Sequence, residues 1–248
     1  MAETSHTLLP LALYPLIATQ GLYVKYRAAQ LDEAQGPRQG RTGAGPVLRL
    51  LVVGDSSAAG VGVDHIDEAL PGQLAALLGR DFTVDWTLVA RCGDTTARSL
   101  ARLSDMPHLE VDVAVTALGV NDAKNGVPLR AWRMRTDALH ATLVQRFGAR
   151  LVVASGLPPV QDFPLLPDPL RSVLAQRCAQ FDAALQDIAE RRPQVSYLPG
   201  DIRLTPEVMA HDGFHPTAPV YADWAARAAR IIRRSPVAQA LSRPEASR

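Results

Sequence analysis

The segment 47-VLRLLVVGDSS-57 decides the fold of this chain. Its first seven residues form a mostly apolar run that ends at Gly54, which predicts a strand buried on both faces. Further along, short apolar segments typical of strands alternate with longer segments of helical periodicity. The predicted strands are residues 47–53, 82–89, 111–118, 151–154 and 195–198, and the predicted helices are residues 68–78, 95–104, 128–147, 169–192 and 217–234. This alternation predicts βαβ units, a parallel sheet and right-handed crossovers.

The composition excludes several classes of protein. The 248 residues include 26 Lys and Arg against 25 Asp and Glu, a formal net charge of +1. This balance argues against a nucleic-acid partner, which usually requires a basic surface. The two cysteines, Cys92 and Cys178, are too few for a disulfide scaffold or a zinc ribbon. No group of His, Cys and Asp has the spacing of a metal site, so we expect no metal.

The chain divides into three parts by composition. We expect one α/β domain over residues 47–234, of a length that can bury a sizeable core. Residues 1–46 are an apolar segment followed by a linker rich in Gly, Arg, Gln and Pro. Residues 235–248 are polar and are expected to form a frayed tail.

The apolar segment, residues 8–24, carries no charge but contains two prolines and a glycine. Three interpretations stay open: a membrane anchor or interfacial helix, a segment docked on the domain, and an atypical secretion signal. The cations Lys25 and Arg27 follow the segment, and under the positive-inside rule an anchor would leave the domain in the cytoplasm. A signal would instead place the domain outside the cytoplasm, so the sequence leaves the location open.

Polar residues follow each predicted strand, at the sheet edge where α/β proteins bind ligands. They lie in residues 54–57, 91–95, 119–122, 155–159 and 211–216.

Five of these residues carry the functional groups of a serine nucleophile site: Ser56, Gly93, Asn121, Asp212 and His215. A serine hydroxyl needs a base to take its proton, and the base is usually a histidine oriented by a carboxylate. Asp212 and His215 are three residues apart in a Gly-containing turn, which lets the carboxylate reach Nδ1–H while Nε2 faces Ser56. Ser56 is predicted to lie where a strand turns into a helix, near free N–H donors. Gly93 allows close approach of its N–H, and Asn121 offers a side-chain NH₂.

Each residue alone also has a structural interpretation. Ser56 could cap a helix, Gly93 could form a turn, and Asn121 could stabilise a left-handed turn. The string Asp-Gly-x-His-Pro at residues 212–216 is rare, however, and the strong signal is that all five residues occur together as one ordered set. The combination therefore favours a catalytic site.

This ordered set resembles the SGNH hydrolases, also called the GDSL esterase/lipase family. The resemblance covers residues 47–234, with matching blocks at Gly54-Asp55-Ser56, at Gly93, at residues 119–122 and at residues 212–215. It implies that Ser56 is the nucleophile, His215 the base and Asp212 its orienting acid. It also implies an oxyanion hole made by the Ser56 N–H, the Gly93 N–H and the Asn121 side chain. One departure is Ser57, where the family name has Leu.

The resemblance further implies a three-layer α/β/α sandwich with a flavodoxin-like parallel five-stranded sheet, strand order 2-1-3-4-5, and no cofactor. The implied function is a serine esterase that cleaves carboxylic esters of short or medium acyl chain through an acyl-enzyme. Two alternatives are an acyltransferase that uses the same acyl-enzyme and a catalytically inactive binding module. A small-molecule ester is thus the expected partner, with membrane association open through residues 8–24 and the oligomeric state undetermined.

The segment 157-LPPVQDFPLLPDPL-170 follows the fourth predicted strand and is unusually apolar for a loop. We expect Phe163, Leu165 and Leu166 either to line an acyl or aryl pocket or to pack on neighbouring helices.

Overall fold

The computed structural model describes residues 13–28 and 31–242 of the chain. The strands are β1 (Gln39–Thr42), β2 (Val47–Gly54), β3 (Thr83–Ala90), β4 (Val113–Ala117), β5 (Leu151–Ser155) and β6 (Val195–Leu198). The helices are α1 (Tyr14–Ala28), α2 (Leu70–Leu78), α3 (Thr96–Asp105), α4 (Val120–Lys124), α5 (Leu129–Gln145), α6 (Leu170–Arg191), α7 (Ala218–Arg234) and α8 (Pro236–Leu241). Short 3₁₀ helices lie at Ile66–Glu68, Val160–Asp162 and Pro206–Val208.

The sheet has the strand order β1-β3-β2-β4-β5-β6. Strands β2 to β6 are mutually parallel, and without β1 their order is the predicted 2-1-3-4-5. The predicted α/β class and sandwich architecture are confirmed. The predicted count of five strands is wrong, because β1 adds a sixth strand at the edge.

Strand β1 lies within residues 28–46, which the sequence predicts to be a linker. It pairs antiparallel with β3, with Gly40 opposite Trp86. Its sequence, QGRT, has no apolar alternation because this edge strand is largely exposed. Strand propensity gives no signal for such a segment; the pairing comes from the exposed edge of β3.

Alternating residues of β2 build the two layers of the core. Leu48, Leu50 and Val52 pack with buried residues of α2, α7 and α8. Leu51 and Val53 face the other side and pack with α3, α5 and α6. Because β2 is buried on both faces, its near-continuous apolar run is what a central parallel strand requires.

The tail that the sequence predicts to be frayed contains helix α8. Ser235 caps it, because the Ser235 hydroxyl accepts a hydrogen bond from the Ala238 N–H at 3.2 Å. Pro236 occupies the first helical turn, and Val237 and Ala238 are buried. The expectation of fraying is therefore wrong for residues 236–241, while residues 243–248 lie outside the described part of the chain.

Helix α1 carries most of the apolar segment, of which residues 8–12 lie outside the described part. Val24 is buried in the core on the α6 side of the sheet. The Gln20 side chain donates to the Asp168 carbonyl at 2.8 Å and accepts from the Leu170 N–H at 3.1 Å. Helix α1 is thus docked at the start of α6. Among the described helices, none has the length and apolarity needed to cross a membrane.

Candidate active site

The loop after β2 presents Ser56 at the carboxyl end of the sheet. Gly54 is required there, because a Cβ atom at this position would lie 2.4 Å from the Ala58 Cβ and 2.8 Å from the Ala117 carbonyl oxygen. The chain after Ser56 forms consecutive turns, and the next helical residues begin only at Ile66. The predicted strand-to-helix turn at Ser56 is therefore wrong: the residues after Ser56 form turns, in which the Ala59 N–H donates to the Asp55 carbonyl at 2.9 Å.

Ser56, His215 and Asp212 form a hydrogen-bonded chain. The Ser56 Oγ lies 3.0 Å from His215 Nε2, and His215 Nδ1 lies 2.6 Å from Asp212 Oδ2. All three residues are buried. The structure thus brings together, in the expected sequence of contacts, the three residues that the sequence singled out as nucleophile, base and acid.

A tight turn holds Asp212 and His215 in this geometry. The second carboxylate oxygen of Asp212, Oδ1, accepts from the N–H groups of Phe214 and His215 at 2.9 and 3.0 Å. Gly213 adopts a left-handed conformation with φ of 65°, which a glycine tolerates. The Gly213 carbonyl accepts from the Leu165 N–H at 3.0 Å, so the loop after β5 supports this turn.

The environment of Asp212 favours its charged form. Burial acts to raise the pKa of this carboxyl, but the hydrogen bonds from the His215 ring and from the backbone outweigh it. The pKa of Asp212 therefore lies below its ordinary value. A charged Asp212 keeps the proton of a neutral His215 on Nδ1 and leaves Nε2 free to accept the serine proton.

The backbone N–H groups of Ser56 and Gly93 follow β2 and β3, at the carboxyl ends of these neighbouring strands. Among hydrogen bonds between described residues, neither the Ser56 N–H nor the Gly93 N–H donates to an acceptor. Gly93 has a φ of 78°, and the direction in which a Cβ would point is open space. Glycine is thus required at this position by backbone conformation and not by crowding.

The Asn121 amide lies beside these groups but is already engaged. Its Nδ2 donates to Asp55 Oδ2 at 3.0 Å and to the Asp94 carbonyl at 3.1 Å. The other Asp55 oxygen accepts from the N–H and hydroxyl of Ser57. Burial raises the pKa of Asp55, although these Ser57 hydrogen bonds oppose the shift. The sequence analysis did not predict the contact between Asp55 and Asn121.

A mostly apolar cleft, partly open to solvent, borders Ser56 and His215. Its apolar wall includes Leu157, Phe163, Ile202, Leu204 and Phe214.

Of the three predicted pocket residues, only Phe163 lines this cleft. Its ring packs edge-on against Phe214, with centroids 5.1 Å apart. Leu166 is buried in the core, and Leu165 is partly buried and packs against the same core. Both therefore fit the expectation of packing on neighbouring elements and not that of lining a pocket.

Trp224 and Lys124 also border the site, although nothing in the sequence marks them as site residues. Trp224 on α7 lines the cleft, and its Nε1 donates to the Ser155 hydroxyl at 3.0 Å. The Lys124 Nζ lies 5.8 Å from the centre of the Phe214 ring. Helical periodicity does not identify Trp224 as a cleft residue, because a face of α7 that borders a cleft has the same pattern as one that packs in a core.

Asp122 and Cys92, which also follow predicted strands, do not line the cleft. Asp122 is structural, since its Oδ2 accepts from the N–H and hydroxyl of Thr96 at 2.8 and 2.9 Å. Cys92 is exposed and Cys178 is buried. Within residues 13–28 and 31–242, no three His, Cys, Asp or Glu side chains gather as metal ligands.

Comparison with known proteins gives one family match. The sequence profile of the GDSL-like lipase/acylhydrolase family matches residues 52–222, more than half of the chain. Among curated protein sequences, none matches significantly.

Several solved structures share the fold. A lipase/acylhydrolase from Enterococcus faecalis has a TM-score of 0.57 and 20% identity, over 75% of this chain and 95% of that one. Est24, a carbohydrate acetylesterase from Sinorhizobium meliloti, has a TM-score of 0.57 and 17% identity, over 75% of this chain and 98% of Est24. The psychrotrophic esterase EstA from Pseudoalteromonas sp. has a TM-score of 0.55 and 17% identity, over 75% of this chain and 99% of EstA. At these identities the likeness extends to the fold alone.

Proposed function

This chain belongs to the GDSL-like lipase/acylhydrolase family, and we propose that it hydrolyses carboxylic esters through a catalytic triad of Ser56, His215 and Asp212. The observation that carries the proposal is the hydrogen-bonded chain from Ser56 Oγ through His215 to Asp212, at 3.0 and 2.6 Å. A folded domain without catalysis has no need for a buried serine aligned on a histidine–carboxylate pair. This argues against the inactive binding module.

In the proposed first half-reaction, Ser56 Oγ attacks the ester carbonyl carbon while His215 Nε2 takes the hydroxyl proton. Asp212 stabilises the imidazolium that forms. The bond between the carbonyl carbon and the alcohol oxygen then breaks, and His215 gives its proton to that oxygen. In the second half-reaction, His215 takes a proton from water, the water oxygen attacks the acyl-enzyme, and the acid leaves as Ser56 regains its proton.

The negative oxygen of each tetrahedral intermediate needs donors that are already in place. The Ser56 and Gly93 N–H groups support this role because they lack acceptors among the described residues. Asn121 is the third proposed donor. Since its amide already contacts Asp55 and the Asp94 carbonyl, an oxyanion must compete with these acceptors for an Asn121 proton. We therefore propose that Asn121 contributes mainly when charge develops on the substrate.

The substrate that the cleft favours is an ester with a short or medium apolar acyl chain. Phe163 and Leu157 provide an apolar wall next to the serine, and burying apolar surface there stabilises the bound acyl group. The similar structures named above include a lipase/acylhydrolase, a carbohydrate acetylesterase and an esterase, so the proposed acyl length rests on the cleft alone.

The test is hydrolysis of p-nitrophenyl acetate, butyrate and octanoate by the wild type, Ser56→Ala and Ser57→Ala. We expect Ser56→Ala to abolish turnover and Ser57→Ala to retain it, because only Ser56 contacts His215. Activity that survives in Ser56→Ala contradicts the proposal. Transfer of the acyl group to added alcohols, in preference to water, would instead identify the acyltransferase.

We also propose that α1 contacts a lipid surface. Four of the six large hydrophobic side chains that are exposed in the described chain lie on this helix: Leu16, Leu22, Tyr23 and Tyr26. Its last turn carries Lys25 and Arg27, and the helix contains no acidic residue. Apolar and aromatic side chains next to cations are typical of helices that lie in the interface of anionic membranes.

Sedimentation of the full chain with phosphatidylcholine vesicles, with and without phosphatidylglycerol, tests this contact. We expect binding that increases with phosphatidylglycerol and is lost in Leu22→Glu. The matched control is Met134→Glu, an exposed hydrophobic residue on α5. Equal binding by both variants, or no binding by the wild type, contradicts the proposal.

A further inference from the structure

The loop that presents Gly93 is held from two sides. We call residues Arg91–Asp94 the oxyanion loop. On its far side, Asp94 is fixed by residues inside the family match: its carboxylate pairs with Arg102 at 3.0 Å, and its carbonyl accepts from Asn121. On its near side, the contacts come from residues 33–42, which we call the bracing segment and which precede the family match at residue 52.

Glu33 and Arg38 of the bracing segment bind the main chain at the start of this loop. Glu33 Oε1 accepts from the Cys92 N–H at 2.6 Å. Arg38 donates from Nη1 to Glu33 Oε2 at 2.9 Å and from Nη2 to the Ala90 carbonyl. The two side chains therefore form a closed link across the residues on either side of Arg91.

The bracing segment is itself anchored to the body of the domain. The Ala34 N–H donates to the Ala59 carbonyl at 3.1 Å, and the Arg38 carbonyl accepts from the Leu88 N–H at 2.7 Å. Ala59 lies three residues beyond Ser56, so the same segment touches both the nucleophile loop and the strand that leads to Gly93. These contacts give Glu33 a fixed position from which to hold Cys92.

The oxyanion loop needs such a support. Arg91 and Cys92 are exposed, and Gly93 has no side chain that could fix its conformation. The Gly93 N–H belongs to the peptide unit that follows Cys92, so its direction depends on the backbone of Cys92. Since an oxyanion donor must point at its target before charge develops, a loop that rotates freely loses stabilisation of the transition state.

We propose that Glu33, oriented by Arg38, is a positioning residue that holds the Gly93 N–H in place for the oxyanion. This inference rests on the proposed function. It assigns to Glu33 and Arg38, which lie outside the family match, a part in the active site.

Steady-state kinetics of Glu33→Ala, Glu33→Gln and Arg38→Ala provide the first test. We expect Glu33→Ala to lower kcat about tenfold to a hundredfold with little change in KM, because substrate binds while one donor is misplaced. Glu33→Gln keeps an acceptor for the Cys92 N–H and should retain more kcat than Glu33→Ala. Arg41→Ala is the matched control, since Arg41 lies on β1 and, among the described residues, its side chain pairs with the partly exposed Asp85.

Hydrogen–deuterium exchange gives a readout that does not depend on turnover. In Glu33→Ala we expect faster exchange of the amides of residues 90–94, with unchanged exchange in α6, which also shows that the variant is folded. Unchanged exchange at residues 90–94, or a kcat equal to that of Arg41→Ala, overturns the inference. If Ser56→Ala keeps wild-type activity, the proposed function is contradicted instead. The exchange experiment still shows whether Glu33 holds the oxyanion loop in place.

Discussion

The side-chain amide of Asn121 is hydrogen-bonded at 3.0 Å to the buried carboxylate of Asp55, the residue that precedes Ser56. This contact links the loop after β4 to the loop after β2. It fixes the direction of the amide, but it also occupies one of the two Asn121 protons. The Asp55 carboxylate therefore orients the Asn121 amide and also accepts a hydrogen bond for which an oxyanion would compete.

Replacing Asn121 by Ala should lower kcat by about 10²–10³, the usual effect of losing one oxyanion donor. KM should change little, because the donor acts mainly on the transition state. Asn125→Ala is the matched control, since Asn125 is exposed at the end of α4. Equal kcat values for the two variants contradict a role of Asn121 in the oxyanion hole.

Replacing Asp212 by Asn should lower kcat by about 10⁴, because an amide does not hold His215 in the required tautomer. The fold should survive, since the Asn oxygen still accepts from the Phe214 and His215 N–H groups. Kinetics together with the melting temperature check this expectation. A loss of only a few-fold in a folded variant argues that His215 does not act as the base.

Phe163 and Leu166 should respond differently to truncation. Phe163→Ala enlarges the cleft, so the ratio of octanoate to acetate hydrolysis should rise. Leu166→Ala empties a core position and should destabilise the protein by about 2–5 kcal/mol without changing this ratio. Ester kinetics and urea unfolding distinguish the two effects, and a shift in acyl preference in Leu166→Ala alone would contradict the assignment of the pocket wall.

His140 should make the protein less stable in mild acid. Burial, aided by the charge of Arg192 and opposed by that of Asp137, lowers the pKa of His140 to about 4. The unfolded chain takes up a proton at a pKa of about 6.5, whereas the folded chain takes it up only near 4. The stability is therefore complete above pH 6.5 and falls by about 3 kcal/mol between these two values.

Urea unfolding between pH 7.5 and pH 4.5 measures this loss. His140→Gln should flatten the dependence on pH, because glutamine does not titrate. His108→Gln, a change at an exposed histidine, should leave it as in the wild type. A pH dependence that is identical in the wild type and in His140→Gln contradicts a buried neutral histidine.

The sequence predicted the central sheet well, because its signal is strong. Strand β2 is a continuous apolar run, and the helices between the parallel strands have clear 3.6-residue periodicity. It failed at β1, a polar edge strand that forms through pairing with β3. It also failed at α8, where Ser235 and Pro236 are a capping signal that was outweighed by the polar composition of the tail.

In the candidate site, too, the sequence predicted the parts that have a strong signal and missed those that depend on contacts between distant segments. That Ser56, Asp212 and His215 lie together was predictable, because each follows a strand of the sheet and the Asp-Gly-x-His-Pro string is rare. Contacts between distant segments were not, as the hydrogen bond from Cys92 to Glu33 illustrates. A glutamate in a Gly-rich and Pro-rich stretch carries no signal of the loop that it meets, 59 residues away.

The central claim is that Ser56 is a nucleophile activated by His215, and covalent labelling tests it most directly. The protein is treated with a fluorophosphonate ester, and the modified residue is located by peptide mass spectrometry. The account predicts one phosphonyl group per chain, bound to the Ser56 Oγ, and no labelling in His215→Gln at the same exposure. Labelling at Ser57, or ester hydrolysis by a protein whose Ser56 is never labelled, would contradict it.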